Sequence, residues 1–108
     1  MHDFMKQKIR YLLVESGVPI VNTKQFLSDF HGELLSMIGL EYYRFNLKVM
    51  TFISEKAFII RCANNYLPLL IVALTFIKRI KAQPAYFYTL KSSGTMLALK
   101  KHAAKIIN

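Results

Sequence analysis

The apolar residues of the chain recur with two different periods, and the changes of period divide it into elements. Between residues 26 and 38 they recur at helical spacing, in a segment that Asn22 or Thr23 can cap and Gly39 can end. Between residues 42 and 52 apolar positions alternate with polar or basic ones, which predicts a strand with one apolar and one basic face. The chain therefore combines helices with strands.

The remaining segments complete the order β-α-β-β-α-β-α. The predicted strands cover residues 9–15, 42–52, 57–63 and 85–91, and the two later helices cover residues 66–81 and 95–107. The first six elements match the ferredoxin-like βαββαβ order. We therefore predict a single α+β domain over residues 1–108, an antiparallel sheet with helices on one face plus an extra C-terminal helix. RNA-recognition modules share this order, although a fold alone does not establish a function.

Composition points to partners. Fifteen Lys and Arg against six Asp and Glu give this chain of 108 residues a net charge of +9, and 54% of it is hydrophobic. So much positive charge favours a polyanion as partner, with a basic but ordinary soluble domain as the alternative. The apolar excess indicates burial against another protein. A disordered tail is excluded by the apolar content, and a disulfide scaffold by the single cysteine, Cys62.

Membrane insertion and secretion are not predicted. The longest apolar run, residues 66–77, falls short of the roughly 20 residues that span a bilayer, so it predicts a buried helix. Residues 1–10 are charged throughout and have no apolar core of a secretory signal.

The sequence does not resemble an enzyme. The three histidines are far apart, and no other ligand lies at metal-binding spacing. Cys62 shares one strand face with apolar residues, so we predict that it is a small core residue rather than a nucleophile. Asp29 and Glu33 are the best carboxylate pair, yet a solvated helix face explains them more simply than acid–base chemistry. The strand over residues 57–63 has neither the glycine nor the aromatic rings of an RNA-stacking motif. We therefore predict that its faces are buried in the core or in a protein interface.

The first candidate RNA-binding region is the N-terminal arm, where Lys6, Lys8 and Arg10 are followed by Tyr11. Cations beside an aromatic ring suit contacts with a phosphate backbone and a stacked base. A solvated terminus is the alternative.

The second candidate region is the junction between the last strand and the last helix. It comprises Lys91, Ser92, Ser93, Gly94 and Thr95, with Lys100 and Lys101 one to two turns further on. Free N–H groups at a helix N-terminus attract anions, and hydroxyls beside a glycine let a phosphate approach closely. An ordinary serine cap is the alternative.

These segments carry a family resemblance. The start, Lys8 to Leu13 (KIRYLL), and the stretch YFYTLKSSGT before the last helix resemble the small Pop5-type protein subunit of ribonuclease P and ribonuclease MRP more than its Rpp14-type relative. The element order fits that family over nearly the whole chain. The segment after the first strand is short, and no extended tail follows Asn108, so contacts made by extensions in longer members are not carried over.

The resemblance implies a non-catalytic subunit of a ribonucleoprotein. In that family the RNA subunit holds Mg²⁺ and removes the 5′ leader of precursor tRNA, while the Pop5-type protein braces the RNA beside a TIM-barrel-like protein subunit. No cofactor is then expected on this chain, and precursor tRNA is an indirect partner. Arg10, Tyr11, Gly94 and Thr95 match the family's residues near RNA. The expected location is the nucleus, including the nucleolus, in a eukaryote and the cytoplasm in an archaeon. A ferredoxin-like adaptor that binds proteins and no RNA is the alternative.

Overall fold

The computed structural model describes residues 7–106, and within them strands and helices alternate much as predicted. The strands are β1 (Ile9–Ser16), β2 (Lys48–Ser54), β3 (Ala57–Ala63), β4 (Arg79–Ile80), β5 (Gln83–Pro84) and β6 (Phe87–Ser93). The α-helices are α1 (Thr23–Ile38), α2 (Leu67–Phe76) and α3 (Met96–Ile106), and 3-10 helices cover Gly39–Phe45 and Asn64–Tyr66.

The main sheet has four strands in the order β2-β3-β1-β6, and every neighbouring pair is antiparallel. The first strand therefore lies between the third strand and the last one, as in the ferredoxin-like fold. This α+β arrangement confirms the predicted fold class. The strands β4 and β5 form a separate small hairpin.

Both faces of the sheet are covered. Helices α1 and α2 place Phe30, Leu34 and Leu70 on one face, in a cluster with the strand residues Leu12 and Phe58. Aromatic rings fill its centre: Phe58 packs edge-on against Phe30 with centroids 5.8 Å apart. This is the larger core of the protein, and the helices of the βαββαβ unit close it.

Helix α3 packs on the opposite face. Its Leu99 and Ala103, four residues apart and therefore on one side of the helix, meet Leu13 and Ile59 of the central strands. The extra C-terminal helix therefore covers the face on which an RNA-recognition module would stack bases. For the strand over residues 57–63 the sequence predicts core or protein interface, and this face is core.

The prediction of a strand over residues 42–52 is wrong in its first half. Residues Gly39–Phe45 form a 3-10 helix, Asn46 adopts a left-handed conformation with φ 51°, and β2 begins only at Lys48. The buried residues of this stretch are Tyr42 and Phe45, which are three apart and so fall on one side of a 3-10 helix. Tyr43, which the alternation placed on the apolar face, is exposed.

The second helix is shorter than predicted. It ends at Phe76 rather than near residue 81, because the backbone becomes extended at Ile77 and turns back through the β4–β5 hairpin. Lys81 has φ 56° at the tip of that hairpin, and the N–H of Ala85 donates to the carbonyl of Lys78. Arg79 and Lys81, which lie within the range predicted for the helix, therefore belong to this hairpin.

The apolar run that contains α2 is buried on one side only. Leu70 and Leu74 are fully buried, whereas Leu69, Val72 and Phe76 are exposed. No helix within residues 7–106 is long and apolar enough to cross a bilayer.

Candidate nucleic-acid interface

The sheet brings the two predicted basic regions together. Strands β1 and β6 are neighbours, and Tyr11 lies opposite Ser93 while Leu12 lies opposite Ser92. Across this pair the Arg10 guanidinium donates a hydrogen bond from Nη2 to the Ser92 hydroxyl at 3.4 Å. The start of β1 and the turn that leads into α3 thus form a single surface at one end of the sheet.

The predicted site residues differ in exposure. Lys8, Lys91, Gly94, Thr95, Lys100 and Lys101 are exposed, whereas Arg10, Tyr11, Ser92 and Ser93 are half-buried. Lys6 lies outside the described residues. Lys100 and Lys101 follow Leu99, whose side chain faces the sheet, and they extend the surface along the outer side of α3.

Arg10 and Tyr11 do not share a face of the sheet. Successive residues of a strand point to opposite sides, so Arg10 lies on the side of α1 and α2, whereas Tyr11 packs against the Leu13–Leu99 cluster under α3. The expectation that cation and ring act side by side is therefore corrected. The side-chain hydrogen bond of Arg10 is made to the Ser92 hydroxyl instead.

The turn before α3 is organised by its own hydroxyls. The Ser93 Oγ accepts from the N–H of Thr95 at 3.2 Å, and the Thr95 Oγ1 accepts from the N–H of Ala98 at 3.3 Å. Thr95 is therefore the helix cap, where the sequence suggested serine. Because each hydroxyl oxygen acts here as an acceptor, its O–H remains a donor of the kind that a phosphate oxygen takes.

Gly94 lies directly against Arg10. A Cβ at this glycine would meet the Arg10 Nη1 at 3.7 Å, which is ordinary van der Waals contact. Its backbone is outside the left-handed region, since among the described glycines only Gly39 has a positive φ. Close approach to a ligand, rather than backbone strain, is therefore what this glycine permits.

The strand register adds two cations that the sequence reading did not include in the site. Lys48 pairs with Arg61, Arg61 pairs with Tyr11, and Tyr11 pairs with Ser93, so the four side chains form one row across the α3 face. The Arg61 Nη2 donates to the Asn46 Oδ1 at 3.4 Å, while its Nε is buried without a hydrogen-bond partner among residues 7–106. The sequence does contain a signal for Arg61, because it is the one charged residue in the otherwise apolar strand β3.

We call this surface the basic end of the sheet: Lys8, Arg10, Lys48, Arg61 and residues 91–95. Acidic residues within the described part of the chain lie mostly elsewhere, with Glu15 and Glu55 at the opposite end. Glu41, beside the basic end, is paired with Arg44 at 3.8 Å and accepts from the Tyr66 hydroxyl at 2.9 Å. The basic end therefore carries a net positive charge.

Among residues 7–106, the ionisable groups with shifted pKa values lie in the core or at its edge. Burial raises the pKa of the Cys62 thiol to about 11, and burial together with Tyr43 raises the pKa of Tyr42 to about 12. Burial lowers the pKa of His31, whose Nδ1 is hydrogen-bonded to the Tyr42 hydroxyl. Cys62 is fully buried beside Phe58 and Ile60, as the sequence predicts. Across residues 7–106, no three His, Cys, Asp or Glu side chains are grouped closely enough to hold a metal ion.

Comparison with known proteins identifies the family. Residues 10–104 match the model of the Rpp14/Pop5 family, and the chain belongs to that family. Its fold is similar to that of a chain in the cryo-EM structure of yeast ribonuclease MRP, with a TM-score of 0.62, 11% identity, and coverage of 93% of this chain and 92% of that one. A search of the curated proteins found no match. The resemblance noted in the sequence is thereby confirmed.

Proposed function

We propose that this protein is a non-catalytic, RNA-binding subunit of ribonuclease P, or of ribonuclease P and ribonuclease MRP together. Membership of the Rpp14/Pop5 family supports the complex. The observation that carries RNA binding is the contact between Arg10 and Ser92, which joins both candidate regions into the basic end of the sheet. Through that surface the protein braces the catalytic RNA while the RNA removes the 5′ leader of precursor tRNA.

The contacts we propose are made mainly to the phosphate backbone. Lysine and arginine side chains neutralise phosphates and make binding dependent on salt. Within residues 7–106, the cations of the two candidate regions are Lys8, Arg10, Lys91, Lys100 and Lys101. The hydroxyls of residues 92–95 and the first N–H groups of α3 supply neutral donors. In this proposal Mg²⁺ is held by the RNA, and precursor tRNA is reached only through it.

A protein partner is proposed for the exposed side of α2, where apolar residues of α2 and the end of α1 line one groove. Leu69, Val72 and Phe76 of α2 are exposed beside the end of α1, where Met37 is also 39% exposed. Contiguous apolar surface of this kind marks protein interfaces, and the family resemblance implies a TIM-barrel-like subunit as the protein that covers it. We propose a nuclear or nucleolar location in a eukaryote and a cytoplasmic one in an archaeon.

The exposed face of α2 also supports the alternative function, an adaptor that binds proteins and no RNA. Purification of the tagged chain from its source cells separates the two. We expect a structured RNA and an activity that cleaves precursor tRNA to co-purify, and nuclease treatment to abolish that activity. The recombinant chain alone should not cleave, with or without Mg²⁺. Recovery of proteins without RNA would favour the adaptor, and cleavage by the RNA-free chain would overturn the proposal.

A further inference from the structure

A polar pocket lies next to the basic end of the sheet. It has a volume of about 490 Å³ and is lined by Gln7, Tyr43, Arg44, Asn46, Asn65 and Tyr66. These residues come from three separate places: the segment before β1, the 3-10 helix and turn before β2, and the segment after β3. The sheet gathers them because those three strand ends lie at the same end.

The walls of the pocket are held in place. The Tyr66 ring stacks on the buried Phe45 with centroids 4.8 Å apart, and its hydroxyl donates to Glu41. Glu41 also pairs with Arg44. The Tyr43 ring meets Tyr42 edge-on at 5.8 Å yet stays 67% exposed. The pocket thus offers an exposed aromatic ring that is anchored from behind.

The floor is linked to the cations of the basic end. Asn46 accepts from the Arg61 guanidinium through Oδ1. Gln7 directly precedes Lys8, whose carbonyl accepts from the N–H of Asn64 at 2.8 Å. The pocket therefore lies next to Arg61 and Lys8, while the negative charge of Glu41 is already paired with Arg44 and the Tyr66 hydroxyl.

We propose that this pocket binds an unpaired nucleobase of the RNA whose phosphates contact the basic end. The inference rests on the proposed function and adds a contact to a base. An exposed tyrosine provides a stacking surface, and the amides of Gln7, Asn46 and Asn65 provide the paired donors and acceptors that match base edges. A duplex cannot present a base here, because its bases are stacked and paired. The ligand is therefore single-stranded RNA, such as a loop or bulge.

A protein side chain is the competing occupant. The lining favours RNA because it combines three amides, one arginine and two tyrosine rings. The pocket also lies next to Lys8 and Arg61. The exposed apolar residues of α2, which suit a protein partner, are on the helical side of the molecule and do not line this pocket.

The test uses the full chain with a uridine dodecamer that carries one 5-iodouracil, and with a duplex RNA of the same length. Tyr43→Ala should weaken binding of the single strand roughly 5- to 100-fold, the range expected for one stacked base. Because stacking is not ionic, the salt dependence should be unchanged. Tyr43→Phe should retain affinity. Tyr88→Ala is the matched control, since Tyr88 is also exposed but lies opposite Glu15 at the far end of the sheet.

Irradiation of the wild-type complex should crosslink the iodouracil to the peptide that contains Tyr43. The inference fails if Tyr43→Ala binds the single strand as Tyr88→Ala does, or if both variants lose single-strand and duplex binding alike. It also fails if Tyr43→Ala impairs only the association with protein subunits. These outcomes leave the proposed function standing, whereas a wild-type chain that binds neither RNA would overturn both.

Discussion

Arg10 and Ser92 are 82 positions apart in the chain, yet the guanidinium of one donates to the hydroxyl of the other. The contact exists because the first and last strands of the main sheet are neighbours. It joins the cations before β1 to the hydroxyl-rich turn before α3. The proposed RNA-binding surface depends on this junction.

Gly94→Val should weaken RNA binding without unfolding the protein. Gly94 has no left-handed backbone to strain, and a side chain there would contact Arg10 and occupy the space through which a phosphate approaches. We expect a loss of affinity of up to about tenfold, or 1.4 kcal/mol, with little change in salt dependence. Thermal unfolding should show stability altered by less than about 0.5 kcal/mol. A large loss of stability would place the effect in the fold instead.

The exposed face of α2 predicts self-association of the isolated chain. We expect the scattering mass to rise with concentration and to fall to a single species when the partner subunit is added. Phe76→Ser should reduce self-association because the Phe76 ring is 67% exposed. Val21→Ser is the control, since Val21 is also exposed but lies before α1. A wild-type chain that stays monomeric at all concentrations and salts would contradict the interpretation.

Acid should destabilise the protein through His31. Burial lowers its pKa in the folded state, so the unfolded chain binds more protons below the ordinary value of 6.5. The free energy of unfolding is therefore fully retained above that value and decreases as pH falls below it. His31→Gln, which can still hydrogen-bond to Tyr42, should flatten this dependence in denaturant titrations, while His102→Gln should preserve it. An unchanged profile in His31→Gln would assign the acid sensitivity to other groups.

Cys62 should resist alkylation in the native protein. The side chain is fully buried, and burial raises its pKa to about 11, so near neutral pH almost no thiolate is present. Iodoacetamide should therefore label the protein in proportion to its unfolded fraction, and urea should accelerate the reaction. Because this is the only cysteine, mass spectrometry reads the labelled fraction directly. Rapid labelling without denaturant would show that the core around β3 opens locally.

The sequence predicts those elements whose signals are local. The helix α1 begins after Asn22, whose side chain accepts from the N–H of Gln25 at 3.0 Å, and ends at Gly39, both as predicted. Two segments depart from the prediction because their patterns fit more than one structure. Alternation over residues 42–47 fits a strand, but burial of Tyr42 and Phe45, three positions apart, favours a 3-10 helix. Residues 77–84 form a turn and a hairpin, although their apolar spacing continues that of α2.

The candidate site is less accessible to sequence reasoning than the fold. Each basic region is visible as a short motif, and the predicted ferredoxin-like fold already places the first strand beside the last one. The register that brings Arg10 within reach of Ser92 is encoded by no local pattern. Arg61 and Lys48 join the surface only through the register of β3 with its two neighbours. The separation of Tyr11 from Arg10 is different, because it follows from the alternation of side chains along the predicted first strand alone.

The salt dependence of RNA binding shows whether phosphates contact the basic end of the sheet. Filter binding of the RNA that co-purifies with the chain would be measured over a range of salt concentrations. Changing Lys8 and Arg10 together to Ala should flatten the slope of log K against log salt by roughly 1–2 units, because about two phosphate neutralisations are lost. Changing Lys24 and Lys56 to Ala removes the same charge from the opposite end of the sheet and should leave the slope nearly unaltered. Equal slopes for the two double variants, or a loss of affinity in the first without a change of slope, would contradict the assignment of the basic end as the RNA-binding surface.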